Sequence, residues 1–189
     1  MLKHITLEKY GGKTAVGLKW WHEFNALMGR YTCWNKVRWE LVNNLVYVCK
    51  GNICRSAFAS SFTAGKIKVG VSSAGLEAKP ESPANTAAIA CAERRGLDLT
   101  NHKAQNIRNT TLDTGSLIVA FEPDQLKQLV LMRPDAANSQ LTLLGLYKSP
   151  VSPYIHDPYG LPNCYFDTCF EGIEAGILRL IGNLEGKSN

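Results

Sequence analysis

Apolar and polar positions alternate along residues 44–189 in a way that predicts strands and helices in turn. Four short apolar runs predict strands, at 45–49, 67–73, 117–121 and 141–144. Apolar residues at helical spacing predict helices between them, at 56–64, 84–95 and 124–131. Gly96 is placed to end the second helix in a left-handed conformation. A loop at 149–162 precedes a last helix, whose apolar face is formed by Phe166, Phe170, Ile173, Ile177, Leu180 and Leu184.

This alternation predicts an α/β fold. We expect a three-layer domain at 44–189, in which a four-stranded parallel sheet carries helices on both faces. Functional residues of such a sheet are expected at the carboxyl ends of its strands.

Residues 1–43 have a different pattern and are predicted to form a helical extension. Apolar residues recur at helical spacing from Leu18 onward and predict one or two amphipathic helices, interrupted near Gly29. The repeating positions are Leu18, Trp21, Phe24, Leu27 or Met28, Tyr31 and Trp34. Three interpretations remain open: a cap docked on the domain, a partner or dimer face, or a surface that contacts acidic lipid. We rank docking first, because buried aromatic residues usually belong to a core.

Charge separates the extension from the domain. Residues 1–43 carry seven basic and three acidic side chains, a net charge of +4 within the +5 of the whole chain. Seven scattered cations are too few to predict nucleic-acid binding. The chain contains no apolar run near the roughly 18 residues that span a bilayer, and its start lacks the apolar core of a secretory signal. The sequence therefore predicts a cytoplasmic protein.

The six cysteines match neither a disulfide scaffold nor paired zinc-binding spacings, so we predict reduced thiols and neither metal nor cofactor. Cys91 lies in a small-residue helical stretch and is predicted to be a packed core thiol. Cys54 lies five residues after Cys49. Its position is compatible with a small residue packed under a loop or with a thiol that traps oxidised Cys49 as a disulfide.

The first strand leads into the stretch Cys49-Lys50-Gly51-Asn52-Ile53-Cys54-Arg55-Ser56, where a helix begins. Inward N–H groups of such a loop, followed by the positive end of a helix, form a cradle for a tetrahedral oxyanion. Gly51 permits the curl of the backbone, and Asn52 tolerates a left-handed conformation. We therefore predict a phosphate-binding loop after the first strand, formed by residues 50–56.

This environment favours the thiolate form of Cys49, which would be the nucleophile. Arg55 can hold two phosphate oxygens with its planar fork, and the hydroxyl of Ser56 is placed to hydrogen-bond the sulfur. Transfer of a phosphoryl group through a cysteine also needs an acid for the leaving oxygen and a base for water. The loop at 149–162 offers Asp157, followed by Pro158 and Tyr159, although an Asp-Pro pair alone is typical of a turn.

Taken together, the string from Cys49 to Ser56 and the late Asp157-Pro158-Tyr159 resemble the low-molecular-weight protein tyrosine phosphatases. The resemblance covers about residues 44 to 184. It implies hydrolysis of phosphotyrosine through a phosphocysteine intermediate, with Asp157 as general acid and base and Tyr159 at the substrate rim. It also implies that Cys54 is the redox partner of Cys49. A tyrosine kinase of polysaccharide export is the protein substrate that the resemblance implies.

Two further segments carry the resemblance. Ser73-Ala74-Gly75 is similar to the family's segment after its second strand, and implies that Ser73 holds Asn52. The segment from Gly96 to Ala104 is similar to another, and implies that His102 joins the same network with Ser56.

Departures from the family pattern concern the leaving group. The run Leu76-Glu77-Ala78-Lys79-Pro80 lacks an aromatic that stacks on the substrate, and Lys50, Ala57 and His156 replace more usual residues. Alternatives are an arsenate reductase, a phosphoarginine phosphatase, and a non-catalytic phosphate-binding module. The apolar Ile53 favours an aryl phosphate over phosphoarginine. Cys91 stands without a second resolving cysteine nearby, which disfavours an arsenate reductase. Binding alone would need neither a thiolate nor an acid, which disfavours the non-catalytic module.

Overall fold

The computed structural model describes residue 7 and residues 9–186 of the chain. Its centre is a sheet with the strand order β2-β1-β3-β4, in which all neighbouring strands are parallel. The strands are β1 (Asn44–Cys49), β2 (Gly70–Gly75), β3 (Ser116–Ala120) and β4 (Gln140–Leu143). The predicted four-stranded parallel sheet is confirmed.

Helices cover both faces of this sheet. They are α1 (Lys13–Leu27), α2 (Arg55–Thr63), α3 (Thr86–Glu93), α4 (Pro123–Met132) and α5 (Asn163–Glu185). Leu45 and Tyr47 of β1 point into a core shared with α2, α3 and α5. Val46 and Val48 point the other way, into a core shared with α4. Because successive strand residues face opposite sides, one apolar strand serves two cores, and the predicted three layers are confirmed.

Two elements of the domain begin two or three residues later than predicted, whereas its other predicted starts agree to within one residue. Strand β2 begins at Gly70 instead of residue 67, because Asn44, the first residue of β1, pairs with Gly70. Helix α3 begins at Thr86 instead of residue 84, because the side chain of Asn85 caps it and accepts hydrogen bonds from the amides of Ala87 and Ala88, at 2.9 and 3.3 Å. Gly96 has a φ of +72°, the left-handed conformation that was predicted.

The extension packs against the edge strand of the sheet. Thr142 of β4 donates a hydrogen bond to the carbonyl of Trp34 at 2.7 Å. The side chain of Gln140 exchanges two hydrogen bonds with the backbone of Arg38, at 2.6 and 3.0 Å. These bonds fix the extension against β4, the edge strand of the sheet.

Helix α1 does not dock through the predicted aromatic stripe. Its buried residues are Ala15, His22 and Asn25, whereas its large apolar side chains are exposed, from 37% for Leu18 to 84% for Leu27. Of the stripe, Tyr31 and Trp34 pack on the domain, with their rings stacked 5.5 Å apart. Within the described residues, none of the helices is both long and apolar enough to cross a membrane.

Candidate active site

The loop between β1 and α2 surrounds the sulfur of Cys49 with donors. Ser56 Oγ lies 3.0 Å from Cys49 Sγ, and the amide of Asn52 donates to the same sulfur at 3.3 Å. Helix α2 begins at Arg55, so its N-terminus adjoins the loop. The sulfur thus lies at the centre of the loop, within hydrogen-bond distance of two groups that can donate to it.

Asn52 organises the loop from beneath. Its φ is +54°, a left-handed conformation that asparagine adopts more easily than most residues. Its side-chain amide donates to Ser56 Oγ at 2.8 Å and to Ser73 Oγ at 2.9 Å. His102 Nε2 donates to the carbonyl of Asn52 at 2.6 Å. The structure thus brings together the four residues for which a support network was predicted.

The backbone of Gln105 completes this network, and sequence reasoning missed it. Its amide donates to Asn52 Oδ1 at 2.8 Å. Because Gln105 contributes only its main chain, no side-chain signal could have identified it.

Arg55 is buried, and one side of its guanidinium is anchored. Nη1 donates to the carboxylate of Glu122 and, at 2.8 Å, to the carbonyl of Ile155. Burial lowers the pKa of Arg55, but the charges of Asp157, Glu122 and Cys49 outweigh burial and raise the pKa above its ordinary value. The guanidinium therefore stays charged at the base of the loop.

The other side of Arg55 faces the acid. Nη2 forms an ion pair with Asp157 Oδ2 at 2.8 Å. Nε is buried and has no hydrogen-bond partner among the residues that the structure describes. An unpaired buried N–H is costly, so this side is suited to an incoming oxyanion.

Glu122 is a site residue that sequence reasoning did not identify. It lies between the strand predicted at 117–121 and the helix predicted at 124–131, and it precedes α4 as the N-cap residue. It also follows β3, the neighbour of β1 in the sheet. Because the carboxyl ends of parallel strands share one edge, its position in the chain is the signal that could have placed it near Cys49.

If Glu122 positions Arg55, replacing it with glutamine should weaken catalysis without removing it. The amide can accept a hydrogen bond but carries no charge, so the Arg55 fork loses half of its carboxylate anchoring. We expect kcat/KM for an aryl phosphate to fall on the order of 10-fold in E122Q. D124N, which removes an exposed carboxylate from α4, serves as a control for charge. An unchanged kcat/KM in E122Q would contradict the positioning role.

A cavity of about 270 Å³ opens above the sulfur. It is lined by Cys49, Lys50, Gly51, Ile53, Cys54, Glu77, Asp157 and Tyr159. Lys50 and Glu77 form an exposed ion pair of 3.5 Å at this cavity. Among the described residues that line this cavity, Tyr159 alone is aromatic, which agrees with the absence of an aromatic residue from the run Leu76–Pro80. Glu77 was not predicted as a rim residue.

The two other thiols that the sequence singled out are both buried. Burial raises the pKa of Cys54, and the negative charges of Asp157 and Cys49 raise it further, so Cys54 stays protonated. Burial and a hydrogen bond to Asp167 raise the pKa of Cys91 to about 12. The redox role of Cys54 stays a prediction.

The acid loop, residues 149–162, is held by the sheet and by the extension. The amide of Ile155 donates to the carbonyl of Phe121 at 2.8 Å, at the end of β3. The ring of His22, from α1, stacks on Tyr154 at 5.2 Å. The hydroxyl of Tyr154 lies 2.7 Å from His156 Nδ1. These contacts connect the extension to the residue that precedes Asp157.

The two histidines of this connection, His22 and His156, are partly or fully buried, and their burial predicts that the fold loses stability in acid. Burial lowers the pKa of both His22 and His156 below the ordinary 6.5, although Asp124 partly offsets this for His22. Unfolding restores the ordinary pKa, so the unfolded chain binds more protons as the pH falls below 6.5. We expect the free energy of unfolding to decrease from pH 6.5 downward through the folded-state pKa values. Thermal unfolding between about pH 5 and pH 7.5 should show a shallower decline in H22Q; parallel curves would contradict this origin.

The known proteins to which this chain is similar are phosphatases. Residues 44–189 match the family described as low molecular weight phosphotyrosine protein phosphatase. The chain is 26% identical over 138 residues to the probable low molecular weight protein-tyrosine-phosphatase EpsP of Ralstonia nicotianae, across 72% of this chain and 92% of that protein. It is 27% identical over 143 residues to a protein-arginine-phosphatase of Geobacillus stearothermophilus, across 75% and 95%. The tyrosine phosphatase Wzb from Escherichia coli K30, solved in complex with sulphate, has a TM-score of 0.66 at 26% identity, across 76% of this chain and 99% of that one.

Proposed function

The chain belongs to the low molecular weight phosphotyrosine protein phosphatase family, and we propose that it hydrolyses phosphotyrosine through a phosphocysteine formed on Cys49. The observation that carries this proposal is the orientation of Arg55. One side of its guanidinium is anchored on Glu122 and Ile155, and the other side, with Nε and Nη2, is directed to the acid and has one N–H unpaired. Among the described residues only Nε of this guanidinium has no partner, and an anchored fork with one unpaired N–H is suited to a phosphate ester.

In the first step, the substrate phosphate binds to the loop amides and to Nε and Nη2 of Arg55. It displaces the Asp157 carboxylate from Nη2, and that carboxylate takes up a proton from solvent before it meets the leaving oxygen. The sulfur of Cys49 attacks phosphorus as the bond to the aryl oxygen breaks, and Asp157 transfers its proton to that oxygen. The products are a tyrosine hydroxyl and a phosphocysteine.

In the second step, the same carboxylate accepts a proton from water. The water oxygen bonds to phosphorus, the sulfur–phosphorus bond breaks, and the thiolate of Cys49 leaves. Ser56, 3.0 Å from the sulfur, donates a hydrogen bond to the departing thiolate. Phosphate is released, and Asp157 gives its proton to solvent as it pairs with Arg55 again.

The cavity supports an aryl leaving group. Ile53 and Tyr159 contribute apolar and aromatic surface to its wall, where the ring of a phosphotyrosine would lie. The same cavity contains Glu77, a carboxylate that could also accept a guanidinium, and one relative is named a protein-arginine-phosphatase. These two observations make phosphoarginine the second candidate substrate.

A substrate panel tests the proposal. Purified protein is given phosphotyrosine, phosphoserine and phosphoarginine peptides, and arsenate with a thiol reductant, and kcat/KM is measured for each. We expect phosphotyrosine to exceed phosphoserine by at least about 100-fold, because the phenol is the better leaving group. Preference for phosphoarginine would replace the proposed substrate, reduction of arsenate would replace the reaction, and inactivity on all four would favour a binding module.

We further propose that the protein is cytoplasmic and that its substrates include a tyrosine kinase of polysaccharide export. The six cysteines are all free thiols, which supports a reducing compartment. A relative named as a tyrosine phosphatase, EpsP, supports a phosphotyrosine protein as substrate. The kinase proposal is tested by comparing release of phosphate from the autophosphorylated kinase with release from an unrelated phosphotyrosine protein.

A further inference from the structure

Helix α1 presents an apolar face to solvent. Trp20, Phe24 and Leu27 follow one another at spacings of four and three residues, so they lie on one line along the helix. They are 69%, 56% and 84% exposed. Trp21 and Met28, also exposed, lie beside this line. We call these five residues the outer face of α1.

The outer face is a cluster, which distinguishes it from the other exposed apolar residues. Those others are distributed over separate elements, as with Leu131 on α4 and Leu178 on α5. Scattered single residues need no explanation, whereas a contiguous apolar patch marks a surface that binds something. The opposite side of the helix is already occupied, because His22 and Asn25 are buried against the domain.

The charges around the outer face are positive. Lys13 lies two helical turns before Trp20 on the same line, and Arg30 follows the end of the helix. Both are exposed, and neither forms an ion pair within the described part of the chain. Glu23, the carboxylate of α1, lies on the flank and is paired with Lys19. Among the described residues, the face therefore has cations without ion-pair partners at its two ends and no unpaired carboxylate.

We propose that the outer face of α1 binds the surface of a membrane that contains anionic lipid. Tryptophan, phenylalanine and leucine enter the boundary between headgroups and acyl chains, and lysine and arginine at the ends contact lipid phosphates. A second copy of the chain fits less well. Antiparallel packing of two outer faces would bring Lys13 of each copy close to Arg30 of the other, and parallel packing would bring each cation against its own equivalent.

This binding would bring the active site to the bilayer. His22, on the docked side of α1, stacks on Tyr154 of the acid loop. The helix therefore connects a membrane-facing surface to the catalytic domain without a flexible linker between them. Phosphotyrosine on a membrane-bound protein would then be within reach of Cys49.

The test uses the full chain and vesicles of phosphatidylcholine, with and without about 30% phosphatidylserine. Binding is measured by co-sedimentation and by the emission of Trp20 and Trp21, which shifts to shorter wavelength on transfer from water. The face variant is W20Q/F24Q/L27Q. The matched control is L131Q/L178Q, which removes exposed apolar residues elsewhere. A third variant, K13Q/R30Q, removes the end charges, and turnover of a soluble aryl phosphate checks that every variant is folded.

We expect binding to the anionic vesicles, loss of that binding in the face variant, and retention in the control. K13Q/R30Q should bind on the order of 30-fold more weakly, from roughly fivefold for each cation. Equal binding by the face variant and the parent would overturn the proposal. Absence of binding to anionic vesicles would also overturn it. If the parent chain then forms a dimer that W20Q/F24Q/L27Q abolishes, the face binds a second copy of the chain instead.

Discussion

Replacement of Cys49 by serine will abolish turnover and leave oxyanion binding nearly intact. A hydroxyl is far less acidic than a thiol, so the loop that stabilises a thiolate cannot supply an equivalent alkoxide. We expect kcat for an aryl phosphate to fall by at least about 10⁴-fold, as it does when other covalent nucleophiles are removed. Phosphate binding should persist, because Arg55 and the loop amides contribute it and both remain in C49S.

Two measurements separate the nucleophile from the binding site. Turnover is followed with a chromogenic aryl phosphate, and phosphate binding by the rise in melting temperature as phosphate is added. C164S is the matched control, because Cys164 is an exposed free thiol on α5. Activity in C49S within tenfold of the parent would exclude the phosphocysteine pathway, and loss of phosphate binding would indicate that the substitution has disturbed the loop.

Replacement of Asp157 by asparagine will slow poor leaving groups far more than good ones. Asparagine has the size of aspartate but no proton to transfer at the required acidity. An unsubstituted phenol leaves slowly without protonation, whereas a nitrophenol leaves readily as an anion. We expect kcat/KM to fall about 10²- to 10³-fold for phenyl phosphate and less than about 10-fold for nitrophenyl phosphate in D157N.

The use of kcat/KM isolates the first step, because that ratio does not depend on hydrolysis of the intermediate. The comparison matters here because Asp157 is proposed to serve both steps, and kcat would mix them. D124N controls for the loss of a nearby negative charge, since Asp124 is exposed and paired with Lys127 at 2.9 Å. An equal loss with both esters would remove Asp157 from the role of acid and leave it as a partner of Arg55.

The ion pair between Arg55 and Asp157 leads to a further expectation for D157N, which concerns its affinity for phosphate. Asp157 occupies Nη2 of Arg55 in the unliganded site. A phosphate that takes this side must displace the carboxylate, so D157N should bind phosphate at least as tightly as the parent does. Catalytic loss without loss of affinity would distinguish a missing acid from a damaged site.

In the extension, the apolar residues of a helix do not lie on the side that packs against the domain. Its aromatic stripe predicted a buried interface, and Tyr31 and Trp34 do pack on the domain. The helix itself docks through His22 and Asn25 instead, because the hydrogen bond of His22 to Tyr31, at 2.6 Å, and its stacking on Tyr154 orient that side inward. Helical periodicity identifies the two sides of a helix but not which of them meets a neighbour.

The sequence by itself determined the sheet, the phosphate-binding loop and the support of that loop. The central strands β1 and β3 are buried almost throughout, and their apolar residues on both faces indicate a buried parallel sheet. The string from Cys49 to Ser56 contains its own turn residues, nucleophile and cation. Asn52, Ser73 and His102 came from resemblance to one family, and the structure brings them into contact.

Only the tertiary structure decided what meets at the carboxyl edge of the sheet. Glu122 reaches Arg55 across 67 residues of chain, and Ile155 does so across 100. The connection from His22 through Tyr154 to His156 joins the extension to the acid loop, and the outward direction of Trp20, Phe24 and Leu27 follows from it. Local periodicity and motifs report on neighbours in sequence. These contacts arise when separate elements pack, so their partners are selected by the shape and burial of surfaces that the folded chain creates.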